Sequence, residues 1–468
     1  MQLEPVFEIL LKISRNPFLL KLANCFAVNK CRIQREHLIN TVTTQILQQY
    51  GSGGILGELS VFEAKNLQLM HDNMLLHRLK SRLQDKDGER RVRYESSIRN
   101  LEKRIESLKQ LEGPESLGFL VKLYLEDIAP DFNPVFLLIF RTVAQRLFNN
   151  FIKSIRAVES QPGTIEQIRT LIGREPVFFI ANHISNADHL PILFALNRFR
   201  LISPVVIGGS NLYHGLSARL LPKLNVCQLK RDDMIEKKIK WLGNPVYIET
   251  FKQHNQYAWL HNEPYLFYPE GGRSRSGKIL KPKLGIIKNI FDFVRKNQRA
   301  VHFVPVSLSY TCVPEDLEIE ESRKGTDISH GDLIQQLARL NREYGSFKKT
   351  ATYVNLGSPI TVAPDQIPDL EDFSCALLLR VRDGIRSTPT YELAQMILHH
   401  CDSGPTQNIF SSKILLDNHP AFGAQQLTDG LDILVRKKFI LPLAEKPVYQ
   451  VINPDLLHQY ASRRECDF

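Results

Sequence analysis

The chain lacks the marks of several common protein classes. It has seven cysteines in 468 residues (Cys25, Cys31, Cys227, Cys312, Cys375, Cys401 and Cys466), and no two are spaced as CxxC. An odd, scattered set builds neither a disulfide framework nor a cysteine-paired zinc module, so reduced thiols are expected. No apolar run suits a membrane-spanning helix, which needs roughly 18 or more apolar residues. The longest uncharged stretch, Leu201–Ala218, is broken by Gly208-Gly209-Ser210-Asn211. A secretory signal is not expected, because Glu4 and Glu8 sit early and no small-residue cleavage site follows. Zinc-finger spacing, an RNA-binding signature and a basic low-complexity tail are all missing, so nucleic acid is not an expected partner.

What is present is an ordinary globular composition with a basic surplus. Hydrophobic residues make up 43%, charged residues 24%, and the net charge is +10. Such a surface suits anionic lipid or phosphorylated substrates. Residues 1–115 read as a helical region. Ile98, Leu101, Ile105 and Leu108 form a heptad-like seam, and Asp87-Gly88 marks a turn between two helices. Residues 116–152 read as amphipathic helices and a candidate membrane contact. The stretch PVFLLIFRTVAQRLFNNFI joins an apolar run to Arg141 and Arg146, with Phe136, Leu137 and Phe140 as the residues expected to insert. A helix packed on the core explains the same pattern equally well.

From 153 to 364 short apolar strands alternate with helix-length segments: Val177–Ala181, Pro204–Ile207, Val226–Leu229, Tyr265–Tyr268, Val301–Leu308 and Ala351–Leu356. The expected fold class is α/β, a mixed, largely parallel sheet flanked by helices. Pro305 demotes its strand to an edge or a strand start. Residues 365–468 read as mainly helical, with a final strand-like VYQVI.

Two segments carry chemistry, and both follow strands directly. The first is Asn182-His183, with Asp188 five positions on. On one continuous helix those side chains lie about 140° apart. A strand-to-helix turn brings them together instead, and Pro191 fits the first turn of the helix that follows. Asp188 then accepts the Nδ1 hydrogen of His183 and leaves Nε2 free to take a proton. The plain alternative is a capping box of Ser185 and Asp188 beside a surface histidine. The second segment, FYPEGGRSRSGKILKPKLG (267–285), holds four glycines, two arginines and three lysines. Glycines admit close backbone approach, successive amides form an anion nest, and arginines grip phosphate with paired charged hydrogen bonds. Glu270, Gly271, Gly272, Arg273, Ser274 and Arg275 are the candidate binding residues. Glu270 either fixes an arginine or accepts from the loop backbone. No GxSxG elbow is found and no cysteine sits beside the histidine, which favours direct attack by an acceptor over an acyl-enzyme; the glycine-arginine loop is not a GxxxxGK[ST] loop either.

NHISNAD, QLKR, FYPEGGRSRSGKILKPKLG and VPVSLSY occur in the order and spacing of the four motif blocks of glycerolipid acyltransferases. The third block most resembles the glycerol-3-phosphate and dihydroxyacetone-phosphate acyltransferase branch. Ile184 stands where that branch commonly has arginine, and Thr311 where it commonly has an acidic residue. The resemblance implies His183 as base, Asp188 as its support, and Arg231, Arg273 and Arg275 on the acceptor phosphate. It implies acyl-CoA or acyl-carrier protein as co-substrate and a phosphorylated polyol acceptor, with glycerol-3-phosphate first and dihydroxyacetone phosphate or another glycerolipid as alternatives. No resident cofactor or metal is expected. A peripheral membrane protein on the cytoplasmic face is. An inactive membrane-binding scaffold on the same fold and a phosphate-ester hydrolase are the readings from other classes.

Overall fold

The computed structural model describes residues 4–17, 19, 33–51, 56–84, 87–213, 215–230, 241–318, 333–347, 350–403, 408–416, 419–443 and 447–468. Its centre is an eight-stranded sheet: β1 (Ile155–Glu159), β2 (Val177–Ala181), β3 (Val205–Gly209), β4 (Val226–Leu229), β5 (Tyr265–Phe267), β6 (Val301–Tyr310), β7 (Thr352–Leu356) and β8 (Ile360–Val362). The order is β1-β7-β6-β2-β5-β3-β4, with β8 also on β6. Strands β6, β2, β5, β3 and β4 are mutually parallel, whereas β7 and β8 run against β6. The mixed, largely parallel sheet is the expected one.

The strands read as continuous apolar runs because both faces are covered. Val177, Phe179 and Ala181 of β2 enter one core, and Phe178 and Ile180 the other. The first core takes helices Pro134–Leu147, His189–Arg198 and Pro389–Ser403. The second takes Arg35–Gln49, Gly113–Ile128, Pro245–Leu260 and Gly285–Asn297. Strands β1 and β8 were not anticipated. IRAVE carries two charges, and β8 has only three residues, so neither stands out as an apolar run.

Helices Glu58–Leu83 and Gly88–Gln110 flank the expected Asp87-Gly88 turn, and the four seam residues are buried. Arg104 forks onto buried Asp72 at 2.6 and 2.8 Å across this pair. Among the described residues of the C-terminal region, helices Pro389–Ser403 and Ala424–Arg436 pack on a small antiparallel sheet of β9 (Ile409–Ser411), β10 (Ile440–Pro442) and β11 (Val448–Val451). The five described cysteines, Cys227, Cys312, Cys375, Cys401 and Cys466, are free thiols; Cys25 and Cys31 lie outside the described residues.

Two expectations need correction. Strand β6 is interior, not an edge. Its first three residues pair with β8 and residues 306–310 pair with β7, so Pro305 stands where the partner changes. No ladder donor is needed there, and its carbonyl still accepts from Gly357 N–H at 2.7 Å. The second correction concerns helix Pro134–Leu147. Phe136, Leu137 and Phe140 are buried in the first core, and Phe7 of helix Glu4–Ser14 lies against Phe140. Six apolar residues in succession circle the helix, so only one position of that run, Leu138, is left strongly exposed, at 61%.

Candidate active site

The sheet ends place the site. Strands β2, β5 and β6 are adjacent and parallel, so His183, Glu270 and Tyr310 meet beyond their carboxyl ends. Asn182 locks the exit of β2 onto β6: Leu308 N–H donates to Asn182 Oδ1 at 2.8 Å, and Asn182 Nδ2 donates to the Leu308 carbonyl at 3.2 Å. The chain then turns before helix His189–Arg198, and Pro191 lies in that helix's first turn as expected.

Asp188 organises the turn. Its side chain is fully buried, and Oδ2 lies 2.9 Å from His183 Nδ1. The same oxygen accepts from Ile184 N–H at 2.6 Å and Ser185 N–H at 2.9 Å. Oδ1 accepts from the Tyr310 hydroxyl at 2.7 Å. With a carboxylate holding Nδ1, the imidazole keeps its hydrogen there and Nε2 is the basic nitrogen. The His183 side chain remains 20% exposed, so the dyad is supported from within and reachable from outside. The capping box is only half made: Asp188 accepts from Ser185 N–H, but the Ser185 hydroxyl turns to Ala187 N–H and Glu315, and the same carboxylate holds His183 Nδ1.

The 267–285 loop folds back onto this turn. Glu270 bridges the two: Oε1 accepts from His183 N–H at 2.7 Å and Oε2 from Leu280 N–H at 2.9 Å. Of its two anticipated roles, accepting from the backbone is the one found. Burial pushes its carboxyl up to about 8. Ser274 N–H donates to the His183 carbonyl at 2.9 Å, and the Ser274 hydroxyl closes the loop onto Lys278 O at 2.6 Å. Gly271 has φ +72, which only glycine adopts cheaply, and an added Cβ would stand 2.7 Å from the Lys283 side chain. Gly272 has open space around it. Arg273 is mostly covered, at 17% side-chain exposure, while Arg275 is exposed. Burial lowers the Arg273 pKa, opposed by nearby Glu315 and Asp188. Arg231 lies outside the described residues.

Three contributors were not anticipated. Tyr310 was seen only as part of a strand. Tyr268 stacks on the His183 ring, with centroids 4.3 Å apart and planes 22° from parallel. Glu315 is a buried carboxylate that accepts from the Ser185 hydroxyl at 3.1 Å and Asn186 N–H at 3.2 Å, and it lies 3.9 Å from Arg273. It links the histidine turn to the arginine loop. An acidic residue four positions past Thr311 was the available signal, but nothing in its spacing reported that the chain turns inward there. Among the described residues no cluster of three or more His, Cys, Asp or Glu side chains could hold a metal ion.

Residues 161–309, which hold the histidine–carboxylate pair and the arginine loop at the carboxyl ends of parallel strands, match the family model described as Acyltransferase. The segment holding the dyad and the loop is therefore an acyltransferase-family domain. Within that class the chain is similar to curated proteins named glycerol-3-phosphate acyltransferase. The protein from Pseudoalteromonas atlantica is 25% identical over 256 residues, 53% of this chain and 29% of the relative. One from Pseudomonas putida is 25% identical over 328 residues, 67% of this chain and 37% of the relative. The Shewanella woodyi protein is 28% identical over 252 residues, 53% of this chain and 29% of the relative. The chain thus spans well under half the length of these relatives. A solved 1-acyl-sn-glycerophosphate acyltransferase from Thermotoga maritima aligns at 16% identity and TM-score 0.29, over 60% of this chain and 85% of that one. That likeness is too slight to build on.

Proposed function

We propose that the protein transfers a fatty acyl group from an acyl thioester, acyl-CoA or acyl-carrier protein, to the sn-1 hydroxyl of glycerol-3-phosphate. The observation that carries this is the His183–Asp188 contact of 2.9 Å, joined through Glu270 to an arginine-bearing loop. His183 Nε2 takes the proton of the acceptor hydroxyl. The oxygen attacks the thioester carbonyl, the C–S bond breaks as the ester bond forms, and the imidazolium returns its proton to the departing thiolate. Asp188 holds the imidazole in register and stabilises its charged form, while Tyr310 and two backbone amides hold Asp188. Arg273 and Arg275 take the acceptor phosphate, with Arg231 as a third expected contact. By analogy with other acyl transfers, amides of the glycine loop stabilise the oxyanion. Base catalysis of this kind contributes roughly 10²–10⁴-fold. The curated relatives' shared name supports glycerol-3-phosphate as acceptor.

The product would be amphiphilic, which favours work at a lipid surface, and we place the protein peripherally on the cytoplasmic face. No helix among the described residues is long and apolar enough to cross a membrane. Among the exposed apolar side chains, Ile9 and Ile13, at 57% and 42% exposure, lie on the helix that packs beside the one carrying Leu138, and we take these three as the contact. The test of the chemistry is thiol release from a fatty acyl-CoA, with a panel of acceptors. Release that depends on glycerol-3-phosphate supports the reading. Release without an acceptor, or none with any acceptor, removes it.

A further inference from the structure

The 267–285 loop is held from two sides, and only the inner side belongs to the dyad. On its outer side it meets the segment from Pro454 to Phe468. Ile279 N–H donates to the Glu465 carbonyl at 2.9 Å, and Asp467 N–H donates to the Ile279 carbonyl at 3.0 Å, forming a one-residue β-bridge. Lys278 Nζ lies 3.0 Å from Glu465. Gly277 has φ +88, and a Cβ there would stand 2.0 Å from the Gln459 carbonyl oxygen. The same segment reaches the strand that supports Asp188. Arg463, 4% exposed and stacked on Tyr460 at 3.8 Å, donates to the Tyr310 carbonyl at 2.9 Å. Tyr460 in turn accepts from Val313 N–H and donates to Asp316, both at 2.8 Å, beside Glu315.

We propose that residues 454–468 are a positioning strap of the active site, setting the shape of the phosphate-binding loop through Gly277 and Ile279 and bracing the Tyr310 end of β6 through Arg463. A surface tail that merely covered the domain would not need main-chain hydrogen bonds to the one loop that must fit an anion. The bridge also explains why the loop keeps a fixed outer wall while Arg275 and Ser276 stay exposed between the two holds. The consequence for chemistry rests on the acyl-transfer reading above.

The backbone bridge can be cut without touching a side chain of the site. Asp467→Pro removes the N–H that Ile279 accepts, whereas Asp467→Ala keeps it. Hydrogen exchange over residues 271–283, read without any substrate, is expected to quicken in Asp467→Pro and not in Asp467→Ala. Kinetics on the full chain are expected to show an acceptor KM raised about tenfold in Asp467→Pro, because small misplacements of binding groups are costly. The thioester KM is expected to stay within about twofold of wild type. Gly277→Ala is expected to do the same, while Gly163→Ala is the control: it shares a φ of +89 but has open space around it. Unchanged loop exchange in Asp467→Pro overturns the strap. So does faster exchange with an unchanged acceptor KM, or equal effects of Gly277→Ala and Gly163→Ala. Faster exchange in an enzyme that uses no phosphorylated acceptor at all keeps the brace and removes the acyl-transfer reading instead.

Discussion

The two loops of the site are built to opposite rules. The turn from Asn182 to Asp188 is closed: every residue except His183 is buried, and the Asp188 carboxylate alone accepts four hydrogen bonds. The loop from Gly271 to Lys278 is half open: Ser274 and Gly277 are buried, Arg273 is mostly covered, and Arg275 and Ser276 face solvent. In the proposed reaction a proton moves along one fixed line, which suits a carrier locked by buried acceptors in a low-dielectric setting. In the proposed reaction a phosphate arrives from water, which suits cations that stay reachable and amides shaped by glycine. Rigidity is spent on the base, and access on the anion.

The sharpest way to break this contrast is inside the closed turn. His183→Ala and Asp188→Asn are each expected to lower kcat by roughly 10²–10⁴-fold with the fold retained, the scale of a lost general base. Turnover near wild type in either purified, folded variant would take the dyad out of the mechanism. The next effect is on stability. Phe136→Ala should cost about 3–5 kcal/mol as a buried aromatic lost from a core. Leu138→Asp, on the exposed side of the same helix, should stay within about 0.5 kcal/mol in denaturant unfolding and weaken vesicle co-sedimentation. The reverse ranking would turn the helix over.

Within the open loop, Arg273→Ala is expected to weaken the phosphorylated acceptor by about 1.5–3 kcal/mol, the range for hydrogen bonds to charged groups. Arg275→Ala should cost less, because its exposed cation is screened by water. Acceptor KM values for the two variants rank them directly. A further test concerns the staple between the loops. Glu270→Gln leaves one of the two N–H groups facing an amide NH₂, which is expected to cost about 1–3 kcal/mol. It also changes the pH profile. The Glu270 carboxyl titrates near 4.5 when unfolded and at about 8 when folded. The folded protein therefore holds the extra proton between those values, and wild-type stability falls relative to Glu270→Gln as pH rises through that window. A constant difference from pH 4.5 to 8 would mean that Glu270 is not the buried acid described here.

Much of the site was legible because its residues are local. His183 and Asp188 are five apart, and the loop residues are contiguous, so strand ends and glycines were enough to group them. The six apolar strands were found to within a residue or two at each end for the same reason: strands buried on both faces write themselves as unbroken apolar runs. What was not legible is long-range. Tyr310 lies 122 residues from Asp188, and Glu315 lies 130 from Ser185. Neither pairing leaves a local pattern. The position of Pro305 depended on where two partner strands hand over, which one strand's sequence does not record. Helix Pro134–Leu147 was ambiguous in principle, because an apolar face is the same signal whether a core or a lipid covers it.

The most direct test couples the loop to the acceptor's phosphate. Thiol release from acyl-CoA is measured with glycerol-3-phosphate and with glycerol, in wild type and in Arg273→Ala, as a four-point cycle. A strong wild-type preference in kcat/KM for the phosphorylated acceptor, largely lost in Arg273→Ala, is the predicted result. Glycerol turnover should be little changed by the substitution. A preference that survives Arg273→Ala in full would contradict the account, because the dyad would then be served by a phosphate site somewhere other than this loop.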